Sequence, residues 1–177
     1  MAGFGRPVGL VLLGLGPVLV AAYAGAGHTA VRAAVREQVA GPSWEGGRID
    51  DSGMTSLGLD TWQLTGLTAL VTGVVALAVA VIGALLLRPR RGRTTLLVVS
   101  GFLILPYALG FLVALVNPVR ILGSLRSADF VAGLPAWQPF TAVLLLAAGL
   151  VQAVGMSMTA AQGRRATKAA TARDAEP

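Results

Sequence analysis

Four uncharged apolar stretches limit what this chain can become. They cover residues 8–27, 64–87, 96–116 and 140–161. Each approaches or exceeds the roughly 20 residues that carry an α-helix across a hydrocarbon core. Inside lipid the backbone must satisfy its own hydrogen bonds, so helices are the form such stretches take. The expected fold class is an all-α membrane protein, a four-helix transmembrane bundle over residues 1–163 with a basic tail at 164–177. Little length remains for a second folded domain.

Charge then orients the spans. Only 12% of the 177 residues are charged, against about 25% in soluble domains. Arg88, Arg90, Arg91 and Arg93 fill the short link between spans two and three, and Arg164, Arg165, Lys168 and Arg173 follow span four. The opposite side holds two loops, 28–63 and 117–139, where acidic residues offset the basic ones. Short basic segments stay cytoplasmic, so the pattern predicts a cell (plasma) membrane protein with both termini inside. Trp62 and Trp137 fall at the outer ends of spans two and four, the depth at which Trp anchors. A cleaved signal peptide is the competing reading of the first span, with Arg6 as its basic start and Ala22-Tyr23-Ala24 as its cleavage site. Thirteen Arg against one Lys, with heavy Ala, Gly and Val use, reads as a GC-rich, bacterial genome.

The first helix should outrun the membrane. Val31, Val35 and Val39 recur at helical spacing beside a polar stripe of His28, Arg32 and Arg36, and Gly41-Pro42 ends the pattern. After Asn117-Pro118, the run Val119, Ile121, Leu122 and Leu125 predicts a short amphipathic outer helix, with Arg120 and Arg126 toward headgroups. The tail after Gly163 reads as disordered or frayed. Within span two, Gly66, Ala69, Gly73, Ala76, Ala80 and Gly83 alternate steps of three and four, a seam along which another helix can approach closely. Leu67, Leu70, Val74, Leu77, Val81 and Leu85 fall on a lipid-facing side. Span four carries a weaker stripe of Gly149, Ala153, Ser157 and Ala161, with Gln152 beside it, and Pro106 should kink span three next to Tyr107.

Chemistry is sparse. No span holds an ionisable acid or base, which speaks against coupled transport. The chain lacks Cys and has a single His, so no catalytic, metal or cofactor-binding residue is assigned and the chain is read as not an enzyme. The net charge of +6 sits at membrane edges, so lipid rather than nucleic acid is the expected basic-patch partner. Trp44, with Arg32 and Arg36, is the expected contact for another membrane or envelope protein. Tyr107 and Gln152 form the candidate intramembrane polar site. The expected function is that of a small accessory or scaffold component of a bacterial envelope complex. The alternative is a homo-oligomeric channel or small-solute permeation unit, which a pocket lined by Gln152, Tyr107 and Ser100 would favour. A close-packed core would favour the accessory role.

The arrangement resembles tetraspan proteins such as claudins in topology alone. Claudins carry a Trp…Gly-Leu-Trp pattern and paired cysteines in the first loop. Here Gly58-Leu59 is followed by Asp60, Trp62 lies at the membrane edge, and there is no Cys. No function is carried over from shared topology.

Overall fold

The computed structural model describes residues 5–87 and 93–173. Its elements are α1 (Gly5–Ala40), α2 (Ser56–Leu86), α3 (Arg93–Phe102), α4 (Ile104–Val116), α5 (Pro118–Arg126), α6 (Ala128–Ala132), a 3₁₀ turn (Gln138–Thr141) and α7 (Ala142–Arg173). Four of the resulting helical segments are long and apolar enough to cross a membrane. The chain is thus a multi-pass membrane protein built as an all-α bundle with an extended first helix. The two loops meet at one end of the bundle, called here the loop end. The start of α1, the end of α2, the start of α3 and the end of α7 lie at the other, terminal end.

Helix α1 is 36 residues long, about 54 Å at 1.5 Å per residue, and so projects well past a core of about 30 Å. It packs most extensively on α7 and next on α2, while α4 rests on α2 and α7. Leu13, Val20, Tyr23, Ala76, Leu145 and Ala148 form the mid-bundle core. A second cluster, with Val31, Ala34, Leu57, Val119 and Phe130, closes the loop end. Helix α5 lies across that end with Val119 and Gly123 inward and Ile121, Leu125 and Arg120 exposed, as its amphipathic pattern requires.

Several boundaries differ from the sequence reading, each for a local reason. Helix α2 starts well before residue 64 because Thr55 caps it, its hydroxyl accepting from the Gly58 N–H at 3.1 Å. Span three is broken rather than bent at Pro106. The break falls at Leu103, between α3 and α4, because Pro106 offers no N–H to the Phe102 carbonyl one turn earlier. The tail does not fray after Gly163; α7 continues through Arg173, its Ala, Lys and Arg content favouring helix. The basic run at 88–92 and the last four residues lie outside the described residues.

The packing faces are rotated from the expected stripes. In α2 the inward face runs through Thr61, Thr65, Ala69, Thr72, Ala76, Val79 and Gly83. The threonines can face inward because each donates to a carbonyl of its own helix: Thr61 to Leu57 at 2.9 Å, Thr65 to Thr61 at 2.9 Å and Thr72 to Thr68 at 2.6 Å. Ala69, Ala76 and Gly83 are buried, whereas Gly66, Gly73 and Ala80 are half-buried. Gly66 has no neighbour where a Cβ would sit, and Gly73 has only Val20 Cγ1 at 3.6 Å. Leu67, Leu70, Val74, Leu77 and Val81 are exposed, as expected for lipid. In α7 the inward stripe is Leu145, Ala148, Gln152, Gly155 and Thr159, while Ala153, Ser157 and Ala161 point outward and Gly149 is half-buried. Turning Gln152 away from lipid sets this rotation.

Helices α1 and α7 approach closely at Gly155. A Cβ on Gly155 would stand 3.0 Å from Leu13 Cγ and 3.1 Å from the Gly9 carbonyl oxygen. One of these atoms is backbone and cannot swing away. Gly155→Leu should therefore destabilise the bundle by about 1–3 kcal/mol or more through overpacking. Gly66→Ala should be neutral or add up to about 1 kcal/mol through helix propensity. Unfolding of both variants in detergent measures the contrast, and equal tolerance would mean that α1 and α7 do not pack this closely.

Candidate functional site

The polar centre of the membrane region is built from a helix defect. Pro17 sits inside α1 and has no N–H to give the Leu13 carbonyl one turn back. That carbonyl would be an unmet acceptor in a lipid environment, at a cost of several kcal/mol. Gln152 of α7 supplies the donor, its Nε2 reaching Leu13 O at 3.0 Å. The same Nε2 donates to Ala76 O of α2 at 2.8 Å. Its Oε1 accepts from the Tyr107 hydroxyl of α4 at 2.8 Å. One side chain, 2% exposed, thus bonds to all three other spans, with both amide protons and the carbonyl oxygen engaged.

Glycine and leucine placement make room for it. A Cβ on Gly16 would collide with the Gln152 amide, and one on Gly83 with Leu13. The break at Leu103 lies one helical turn before Tyr107, which faces α7 from the first turn of α4. A cavity of about 190 Å³ opens beside the junction, lined by Ser100, Leu103, Tyr107, Gly149, Gln152 and Met156. Sequence reasoning paired Tyr107 with Gln152, and the structure brings them into direct contact. Leu13, Gly16 and Gly155 carry no such signal in the sequence. The available signal was a proline inside a span, which demands a donor from elsewhere.

The loop end is held by a second set of polar contacts. Asn117, in the left-handed conformation at φ 55°, joins α4 to α5. Its amide and that of Gln138 exchange two hydrogen bonds, both at 2.9 Å. Thr55 donates to Gln38 Oε1 at 2.8 Å, fastening the start of α2 to the end of α1. Arg126 pairs with Asp60 at 2.6 Å across an exposed surface. Ser43 donates through its hydroxyl and N–H to Asp129 Oδ2, and the space for Asp129 exists because residue 41 is Gly. Among the described residues no group of three His, Cys, Asp or Glu side chains converges.

The expected partner contacts stand at this end but do not form one cluster through hydrogen bonds. Arg32 and Arg36 are exposed on α1, and neither enters an ion pair among the described residues. Trp44 is half-buried in the 41–55 loop, with its ring over Gly47 and its backbone N–H donating to Gly41 O at 3.2 Å. His28 sets its ring edge-on to Trp62, centroids 4.8 Å apart, which ties α1 to α2 at the interface. Compared with known proteins, the chain matches no family model, no curated protein and no solved structure.

Two measurements test these contacts. Gln152→Leu should lower stability by about 1–3 kcal/mol, since it leaves buried partners unmet. Pro17→Ala returns an N–H to the Leu13 carbonyl, so the Gln152 substitution should cost less in that background. A double-mutant cycle with no coupling would separate Gln152 from the helix defect. The second measurement concerns Asp50. The Ser52 hydroxyl, and then the Met54 N–H, hold its carboxyl below the usual aspartate value. Folded-state depression contributes stability above the ordinary value of about 3.9, and that contribution is lost as pH falls through the lowered pKa. An NMR titration should find Asp50 below ordinary aspartate, and Ser52→Ala should bring it back up.

Proposed function

We propose that this protein is a small non-catalytic component of a bacterial cell membrane, both termini cytoplasmic, that acts as an accessory or scaffold for another envelope protein. The observation that carries the reading is the saturation of Gln152. This buried amide bonds to all three other spans and has no titratable proton to exchange with a substrate or ion. Nor do the described spans bring acidic or basic side chains to that junction, as coupled transport demands. The basic residues of the α2–α3 link and of the tail support the orientation. The loop end is then the outward contact surface. It offers Trp44, Arg32 and Arg36 on a platform fixed by the Thr55–Gln38 and Asn117–Gln138 pairs.

The cavity beside Tyr107 and Gln152 favours a second reading, passage or binding of a small solute. It shares no lining residue with the polar cavity at the loop end. The buried side chains Val20, Leu145 and Ala148 belong to the core cluster that fills the mid-bundle. That packing supports the accessory role over permeation.

Cross-linking in native membranes tests the proposal. Trp44→Ala should leave membrane abundance unchanged and remove at least one captured protein. A reporter fused at Gly53 and at the C-terminus, in the same cells, reads the orientation. Purified protein that drives pH-dependent solute uptake into liposomes would overturn the accessory role. Passive leakage abolished by Gln152→Leu would move the assignment to the permeation unit.

A further inference from the structure

Tyr23 stands on α1, about 15 Å along the helix from Leu13 at 1.5 Å per residue. It is 6% exposed. No acceptor within the described residues is paired with its hydroxyl, yet the oxygen is not sealed in protein and borders accessible space. Buried tyrosine hydroxyls are ordinarily paired, because an unmet O–H surrenders its hydration for nothing. Tyr23 instead lines a small cavity at the loop end, together with Thr65, Thr68, Asn117, Gln138 and Thr141.

The lining has a definite hydrogen-bonding character. Thr65 gives its proton to Thr61 O at 2.9 Å, Thr68 to Leu64 O at 2.9 Å, and Thr141 to Gln138 O at 2.8 Å. Their hydroxyl oxygens keep lone pairs that no donor of the described residues meets. Asn117 and Gln138 spend one N–H each on the other. The cavity lining thus combines the Tyr23 hydroxyl and the second N–H of Asn117 and of Gln138 as donors with the threonine oxygens as acceptors. An occupant that both accepts and donates can serve the Tyr23 hydroxyl and a threonine oxygen of the same lining. A metal cation cannot accept a proton donor, and no carboxylate lines the cavity to balance its charge. The cavity measures about 20 Å³, where one water needs about 10–15 Å³ on that measure together with two to four polar partners.

We infer that this cavity is a binding site for a single ordered water, which accepts from the Tyr23 hydroxyl and donates to the threonine oxygens of α2 and of the 3₁₀ turn. The water joins α1, α2 and the start of α7 where direct side-chain contacts leave a gap. It also marks how deep hydration reaches from the loop end, because the next buried layer, with Val20, Ala69 and Ala148, is apolar. The site is independent of the accessory role and holds under either functional reading.

An experimental structure fine enough to show ordered solvent tests the site in the native protein. One density peak within hydrogen-bonding distance of Tyr23 Oη and of a threonine oxygen is expected, and an empty cavity overturns the proposal. Stability supplies a second readout through its sign. If water pairs the hydroxyl, Tyr23→Phe should lower the melting midpoint by about 2–4 °C. If the cavity is dry, removing an unmet hydroxyl should leave the midpoint unchanged or raise it, which also overturns the proposal. The chain has two tyrosines, so the Raman tyrosine doublet of Tyr107→Phe reports Tyr23 alone. A hydrogen-bonded signature is expected there, and a free hydroxyl signature counts against the water.

Discussion

Pro17 cannot donate to Leu13, and the rest of the bundle is arranged around that missing proton. A carbonyl without a partner is tolerable in water and expensive in hydrocarbon. Here the partner comes from a neighbouring helix. Gln152 provides it and then needs partners for its second proton and its oxygen, which Ala76 and Tyr107 supply. Each requirement recruits another helix. The rotation of α7, the glycines at 16 and 155, and the inward-facing Tyr107 follow from one backbone defect.

The polar contacts divide the work by depth. At mid-membrane, association cannot draw on expulsion of water, so close packing and hydrogen bonds hold the helices. Glycines bring α1 and α7 together there, and the threonines of α2 satisfy themselves within their own helix. At the loop end, an amide pair, a cap and a surface ion pair take over, where residues can exchange protein partners for water. Exposed pairs such as Arg126–Asp60 contribute little energy there. The buried Thr55–Gln38 bond fixes where α2 begins, and that position sets the length of the 41–55 loop.

Much of this architecture was readable from the chain. Hydropathy and length identify four spans, because the bilayer demands both at once. Valines at positions 31, 35 and 39 announce the extension of α1. The Asn117-Pro118 pair announces the corner before α5, and the leucines of α2 announce its lipid side. Packing detail was less legible. The small-residue seam of α2 drew attention to Gly66 and Gly73, which border an open groove, and away from Thr61, Thr65 and Thr72. Polarity misleads here, since a threonine bonded to its own carbonyl behaves as a small apolar residue. In α7 the same habit favoured Ala153 and Ser157 over Gln152, although the larger polar group has the stronger reason to hide from lipid. Pro17 interrupts the first span in the sequence itself, but its consequence lies on a helix that follows it by more than a hundred residues. Only the folded arrangement joins the two.

That separation gives the order of synthesis a structural meaning. Leu13 and Gln152 are 139 residues apart in the chain, and Gln152 belongs to the last span to emerge. While the earlier spans are already in lipid, the Leu13 carbonyl has no donor from its own helix and its eventual partner does not yet exist. Until α7 is in place, the bond that completes α1 cannot form. The arrival of α7 converts four inserted helices into one locked unit. Completion of the chain is in this sense a checkpoint: a product truncated before residue 152 lacks the donor for the Leu13 carbonyl.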